Sequence, residues 1–165
     1  MSRRRAVRGV VAAVVLAAAL LTSGCGVGPS GVEDGGEAPT GLAEGPTLYF
    51  VDADGGLQPD VRGTGRLGTV HGAVQLLMAD AHPTTDGLHS EIPPTGTRTI
   101  VEDAWDYVTI YLPLRGAEIS PAGVDQIICT AAAVVAASGR DVADVAISVR
   151  PTHGAVVTRP CPALG

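Results

Sequence analysis

The chain has no lysine, and only five of its 165 residues are aromatic. Eleven arginines face 17 acidic residues, for a formal charge of −6. An acidic chain of this kind has no electrostatic reason to seek nucleic acid or anionic headgroups, so neither is expected as a partner. With so few rings, the core has to be built from Val, Ile, Leu and Ala. The rings that exist therefore stand out, and three of them (Trp105, Tyr107, Tyr111) fall close together. Long apolar runs are also scarce. The run from Val10 to Leu21 is 12 residues, about 18 Å as a helix at ~1.5 Å per residue. Crossing a bilayer takes ~20 residues, so this run is too short to stay as a spanning anchor. Catalytic signatures are missing as well. There is no nucleophile elbow, no paired His-Cys motif and no Ser-x-x-Lys, and the chain is not expected to be an enzyme or to carry a cofactor.

What is present begins at the N-terminus. Arg3, Arg4, Arg5 and Arg8 precede the apolar run, which ends in Leu21-Thr22-Ser23-Gly24-Cys25. A basic head, a short greasy middle and small residues before a cut site make an export signal, read over 1–24. Small-small-Cys after leucine resembles the lipobox of bacterial lipoproteins. That resemblance implies that Cys25 takes a diacylglyceryl group, becomes the first mature residue and carries palmitate-type acylation. The expected location is the extracytoplasmic face of the cell membrane, held by lipid. Cleavage there removes four arginines and no acids, taking the formal charge from −6 to −10. No polybasic patch then remains, so membrane attachment has to come from acyl chains. Cys129 and Cys161 are left in an oxidising compartment and are expected to form a disulfide, the alternative being two buried thiols.

Residues 25–46 read as a flexible linker, because seven of the 21 positions after Cys25 are glycine and three are proline. Such a coil reaches about 25 Å on average, from ~5–6 Å × √n. The folded part is read over 47–150, with a tail over 151–165. Leu48 to Val51 has strand propensity and ends in the turn-forming Asp52-Ala53-Asp54-Gly55-Gly56. Residues 57–68 read as loop. Thr69 offers an N-cap to a helix bearing Val70, Ala73, Val74, Leu77, Met78 and Ala81, which Pro83 stops. A strand near Thr97 to Val101 joins a second one, Tyr107 to Leu112, through Glu102-Asp103-Ala104. Ser120-Pro121 starts a helix with Val124, Ile127, Ile128, Ala131 and Val135 on one face, and Gly139 closes it. Val145, Ile147 and Val149 alternate as a last main strand, and Ala155 to Val157 reads as a further short one. The order β-α-β-β-α-β predicts an α/β fold, a small mixed sheet with both helices on one face.

Three local patterns resemble ligand sites and fall short. Gly63-Thr64-Gly65-Arg66-Leu67-Gly68 matches G-x-G-x-x-G, but Gln58-Pro59-Asp60 makes a poor preceding strand, so a loop is expected. Asp52-Ala53-Asp54 begins like a calcium loop, then offers glycine at positions 56 and 63 where ligands are needed; a turn is expected. His71 and His82, read on one helix, are about 16 Å apart at ~1.5 Å per residue. They cannot share an ion, and no metal site is expected.

Several positions taken together are similar to the GerMN domain. They are Leu48-Tyr49-Phe50-Val51-Asp52 with Gly56-Leu57 and Arg62, Gly87-Leu88 to Ile92-Pro93 with Gly96-Thr97, Ile110-Tyr111-Leu112, and Gln126-Ile127-Ile128-Cys129-Thr130. The resemblance spans about Thr47 to Arg150. It implies a fold related to ring-building motifs of envelope machines, and a non-catalytic role in cell-envelope or sporulation lipoproteins. The expected function is thus a lipid-anchored module that binds or assembles with an envelope protein. The alternative is a wall-acting hydrolase using Glu102, Asp103 and Asp106 as acid and base. Strand alternation points Val108, Ile110 and Leu112 to the helices and Tyr107, Thr109 and Tyr111 away from them. Trp105, Tyr107 and Tyr111 then form a partner-binding surface, unless 155–157 folds back over them as a second small core.

Overall fold

The computed structural model describes residues 45–63, 68–79 and 82–164. The export segment, Cys25, the linker up to residue 44 and positions 64–67 of the glycine run lie outside the described residues. The class is α/β, as the pattern predicts. Strand β1 (Thr47–Val51) pairs antiparallel with β2 (Leu57–Val61) as a separate two-stranded unit. Helix α1 (Val70–Met78) follows, then β3 (Ile100–Asp103) and β4 (Tyr107–Tyr111), helix α2 (Pro121–Ala137), β5 (Ala146–Arg150) and β6 (Val157–Thr158). The second sheet runs β3-β4-β5-β6, with β4 and β5 parallel and both outer pairs antiparallel.

Helix ends follow from side chains that satisfy free backbone donors. Thr69 Oγ1 accepts from the Gly72 N–H at 3.0 Å, and Ser120 Oγ from the Gly123 N–H at 3.0 Å. Helix α1 stops at Met78, shorter than its periodicity suggests, with the Ala79 N–H bonded to Gln75 O. His82 therefore lies beyond the helix, and position 81 is outside the described residues. Gly139, at φ 82°, supplies the left-handed residue after α2.

Core and solvent separate by strand alternation. Val108 and Ile110 of β4, with Ile147 and Val149 of β5, are buried. Tyr107 is exposed, and so are Ala146 and Arg150. Both helices thus cover the same face of the four-stranded sheet. Helix α2 is buried nearly all round, including Gln126, Cys129, Thr130 and Ala132. Its second contact surface is β1, which packs on the helix instead of joining the main sheet.

Two sequence readings are corrected here. The stretch read as loop at 57–61 is strand β2. Pro59 is tolerated because its partner Tyr49 points its own backbone groups away from β2: the Tyr49 N–H goes to Thr130 Oγ1 at 3.0 Å, and its carbonyl accepts from Gln126 Nε2 at 3.0 Å. Opposite such a residue, an edge strand needs no N–H. The first strand also stands outside the main sheet. Its far edge is completed by those two side chains and by His89, whose backbone exchanges hydrogen bonds with Val51 at 2.9 and 2.8 Å. Four buried residues in a row, Leu48 to Val51, suit a strand covered on both sides.

The tail belongs to the fold. Strand β6 pairs with β5 through Ser148↔Thr158 and Val149↔Val157. Cys161 is bonded to Cys129 of α2 with the two Cα atoms 4.8 Å apart. Among the described residues, no helix is long and apolar enough to cross a membrane.

Candidate binding face

The outer face of the four-stranded sheet is assembled by register alone. Ile100, Tyr111 and Arg150 form one row across β3, β4 and β5. Glu102, Thr109, Ser148 and Thr158 form the next, with Tyr107 beside Ala146 beyond it. No helix among the described residues lies on this side. The segment 155–157 does not fold over it either, because Val157 joins the edge of β5 and Cys161 is drawn to the helix side.

The two tyrosines share one face with Thr109 between them, about 13 Å apart along the strand at ~3.3 Å per residue. Tyr107 is 43% exposed, and Trp105, in the three-residue loop between β3 and β4, is 82% exposed. That loop is closed by the Ala104 N–H donating to Tyr107 O at 2.9 Å. The hairpin thus brings all three rings to one strand and its turn.

The polar groups between the rings are ordered. Tyr111 OH donates to Glu102 Oε2 at 3.1 Å, and the Arg150 guanidinium lies over the Tyr111 ring, 5.7 Å from its centre. The Glu102 carboxylate, by holding that hydroxyl proton, raises the Tyr111 pKa above its ordinary value. Ser148 and Thr158 share a hydrogen bond of 2.7 Å. Aromatic surface thus alternates with fixed hydroxyl, carboxylate and guanidinium groups, which suits recognition by contact and hydrogen bonding.

The three hairpin carboxylates do not converge. Glu102 is on the outer face, and Asp103, one residue on, faces the other way and pairs with Arg140 Nη1 at 2.9 Å. Asp106 sits in the exposed loop. The Asp52 carboxylate completes the β1–β2 turn, accepting from the N–H groups of Asp54 and Gly56 at 3.0 and 2.7 Å and from Gln58 at 2.9 Å. Those bonds, led by Gln58, lower its pKa. A Cβ at Gly56 would sit 2.9 Å from Asp52 Oδ2, so the carboxylate would have to shift. Among the described residues, no three His, Cys, Asp or Glu side chains come together as a metal site.

Sequence reasoning missed the polar pair that serves β1. Gln126 and Thr130 are four apart and so share a helix face. The Gln126 amide also accepts from the Glu91 N–H at 2.7 Å. A glutamine and a threonine inside an apolar helix were the available signal. No family model, curated protein or solved structure matches the chain.

Proposed function

We propose that this chain is a lipid-anchored extracytoplasmic module that binds an envelope protein through the outer face of its four-stranded sheet. The observation that carries the reading is the open face itself, with Trp105 82% exposed beside Tyr107 and Tyr111. Exposed aromatic groups of this kind often supply the largest single contributions to protein recognition. The Cys129–Cys161 bond fits an oxidising compartment. The GerMN-like positions fit a non-catalytic role in the envelope.

A photocrosslinker placed at position 105 should capture one envelope protein in the native membrane, and a crosslinker at the exposed Ala136 should not. Tyr107→Ser combined with Tyr111→Ser should abolish that capture while leaving the melting midpoint within a few degrees. Unchanged capture by the double variant overturns the face as the binding site. A collapse of the midpoint would place the rings in the core.

The anchor has its own test. Cys25→Ser should remove acyl label and release the protein from membranes. A Cys25→Ser protein that is cleaved and still sediments wholly with membranes refutes lipid attachment.

A further inference from the structure

Away from the aromatic face, the fold holds a cavity of about 460 Å³ at the carboxyl ends of the parallel strands β4 and β5, beside the first turn of α2. Ligand sites in α/β folds commonly occupy this position, and the volume falls within the range of small-molecule pockets. Leu112, Ile119, Val124 and Val149 supply an aliphatic floor that is almost fully buried. Val157 of β6 closes one side.

The walls are tied to one another by hydrogen bonds and by the disulfide. Beyond the strand ends the pairing continues: the Leu112 N–H donates to Arg150 O at 2.9 Å, Thr152 N–H to Leu114 O at 2.8 Å and Gly116 N–H to His153 O at 2.8 Å. On the other side, Arg159 Nε donates to Asp125 Oδ1 at 2.7 Å and ties the tail to α2. The disulfide holds the same tail one step further on. A void with aliphatic walls forfeits dispersion contacts that an apolar occupant of matching size restores.

The rim has a charge preference. Arg115 and His153 line it, both exposed. Arg115 forms no ion pair among the described residues. The carboxylate of nearby Glu118 is engaged by the Arg115 backbone N–H at 2.6 Å, and Asp125 is taken up by Arg159. The first turn of α2 contains no acidic residue, so the positive end of its dipole is not offset there. Arg115 is thus a cation at this mouth whose guanidinium is not used in an ion pair among the described residues, in a chain of formal charge −6.

We infer that the cavity binds a single-chain amphiphilic carboxylate, with its aliphatic tail on the Leu112–Val149 floor and its carboxylate at Arg115 and His153. The test uses the full chain with labelled valine methyls, titrated with decanoate and, separately, with decanol. Decanoate should shift the methyl signals of Val124, Val149 and Val157 saturably, and leave those of Val70 and Val74 in place. Arg115→Gln should weaken decanoate about tenfold, the loss of a charge-assisted hydrogen bond, and leave decanol unchanged. Ala155→Trp, which fills the space from its exposed side, should block both. Absence of saturable shifts in a chain that still melts cooperatively overturns the site. Equal binding of decanol and decanoate, or an Arg115→Gln variant that binds decanoate as before, overturns the carboxylate assignment. Tighter binding of a tripeptide ending in a free leucine carboxylate would replace the amphiphile with a peptide terminus.

Discussion

Asp60→Ala is expected to destabilise the domain by about 3–5 kcal/mol, the usual consequence of leaving a buried charge without its partner. The Asp60 side chain is 1% exposed and that of Arg62 10%. Their charges lie 3.5 Å apart, from Arg62 Nε to Asp60 Oδ2. Asp60 also accepts from the Thr84 N–H at 3.0 Å, from Thr85 Oγ1 at 3.1 Å and from the Thr84 hydroxyl. Arg62 continues the network: Nη2 donates to His82 O, and the guanidinium packs over the Phe50 ring at 5.2 Å. Its Nε has no hydrogen bond among the described residues, so the Asp60 charge is what offsets that buried edge. Removing the carboxylate orphans the guanidinium and frees residues 82–85 from β2. Replacing the pair together, Asp60→Leu with Arg62→Met, should recover much of the loss, because no charge is then left buried. Denaturant midpoints of the two variants decide the matter; an Asp60→Ala protein as stable as the parent would refute the network.

The same carboxylate makes stability pH-dependent. Burial pushes the Asp60 pKa up, but the bonds from Thr84 and Thr85 and the charge of Arg62 outweigh it, and the net pKa is lowered. A folded pKa below the unfolded value means that the unfolded chain binds the proton more readily. The contribution is therefore complete above the ordinary aspartate range, near pH ~4, and is lost as pH falls through the folded pKa. Asp60→Asn should flatten this part of the acid-unfolding curve.

Breaking the Cys129–Cys161 bond, by Cys161→Ala or by reductant, is expected to lower stability by about 3–4 kcal/mol. The two cysteines are 32 positions apart, and closing a loop of that length is what restricts the unfolded chain in the entropy account. In a domain of this size the melting midpoint should fall by roughly 10–20 °C. The loss should begin locally, because the tail depends on this bond, the short pairing of β6 and the Arg159–Asp125 contact. Amide protection in 155–161 should therefore disappear before that of α2. A reduced protein with unchanged midpoint and intact protection there would show that the bond is dispensable.

The aromatic face was readable from sequence because a strand has period two. Val108 and Ile110 are apolar and alternate with Tyr107, Thr109 and Tyr111, so the division of β4 into inner and outer sides needs no tertiary information. The N-caps at Thr69 and Ser120 were equally legible, since the hydroxyl that satisfies a free N–H is local to it. Leu48 to Val51 was read correctly as a strand, but its place was not. A run without alternation says that both sides are covered and leaves open by what.

Residues 57–61 show why the rest stayed hidden. Proline argues against a strand on local grounds, and what permits Pro59 is the direction of the Tyr49 backbone groups, set by a helix about 80 positions later. The same distance hides the role of Gln126, whose amide bridges two segments from α2. Asp60 and Arg62 likewise read as loop charges until residues 82–85 are brought to them.

The sequence alone determined the α/β class, the starts of both helices, the strands β1, β4 and β5, and which side of β4 is wet, because each follows from periodicity and local capping; β3 instead runs Ile100–Asp103, later than the 97–101 read from sequence. The tertiary structure decided that β1 leaves the main sheet, that the tail becomes an edge strand bonded to α2, and that 155–157 does not fold over the aromatic face. Those outcomes depend on pairings between residues far apart in the chain, and nothing local in either partner specifies the other.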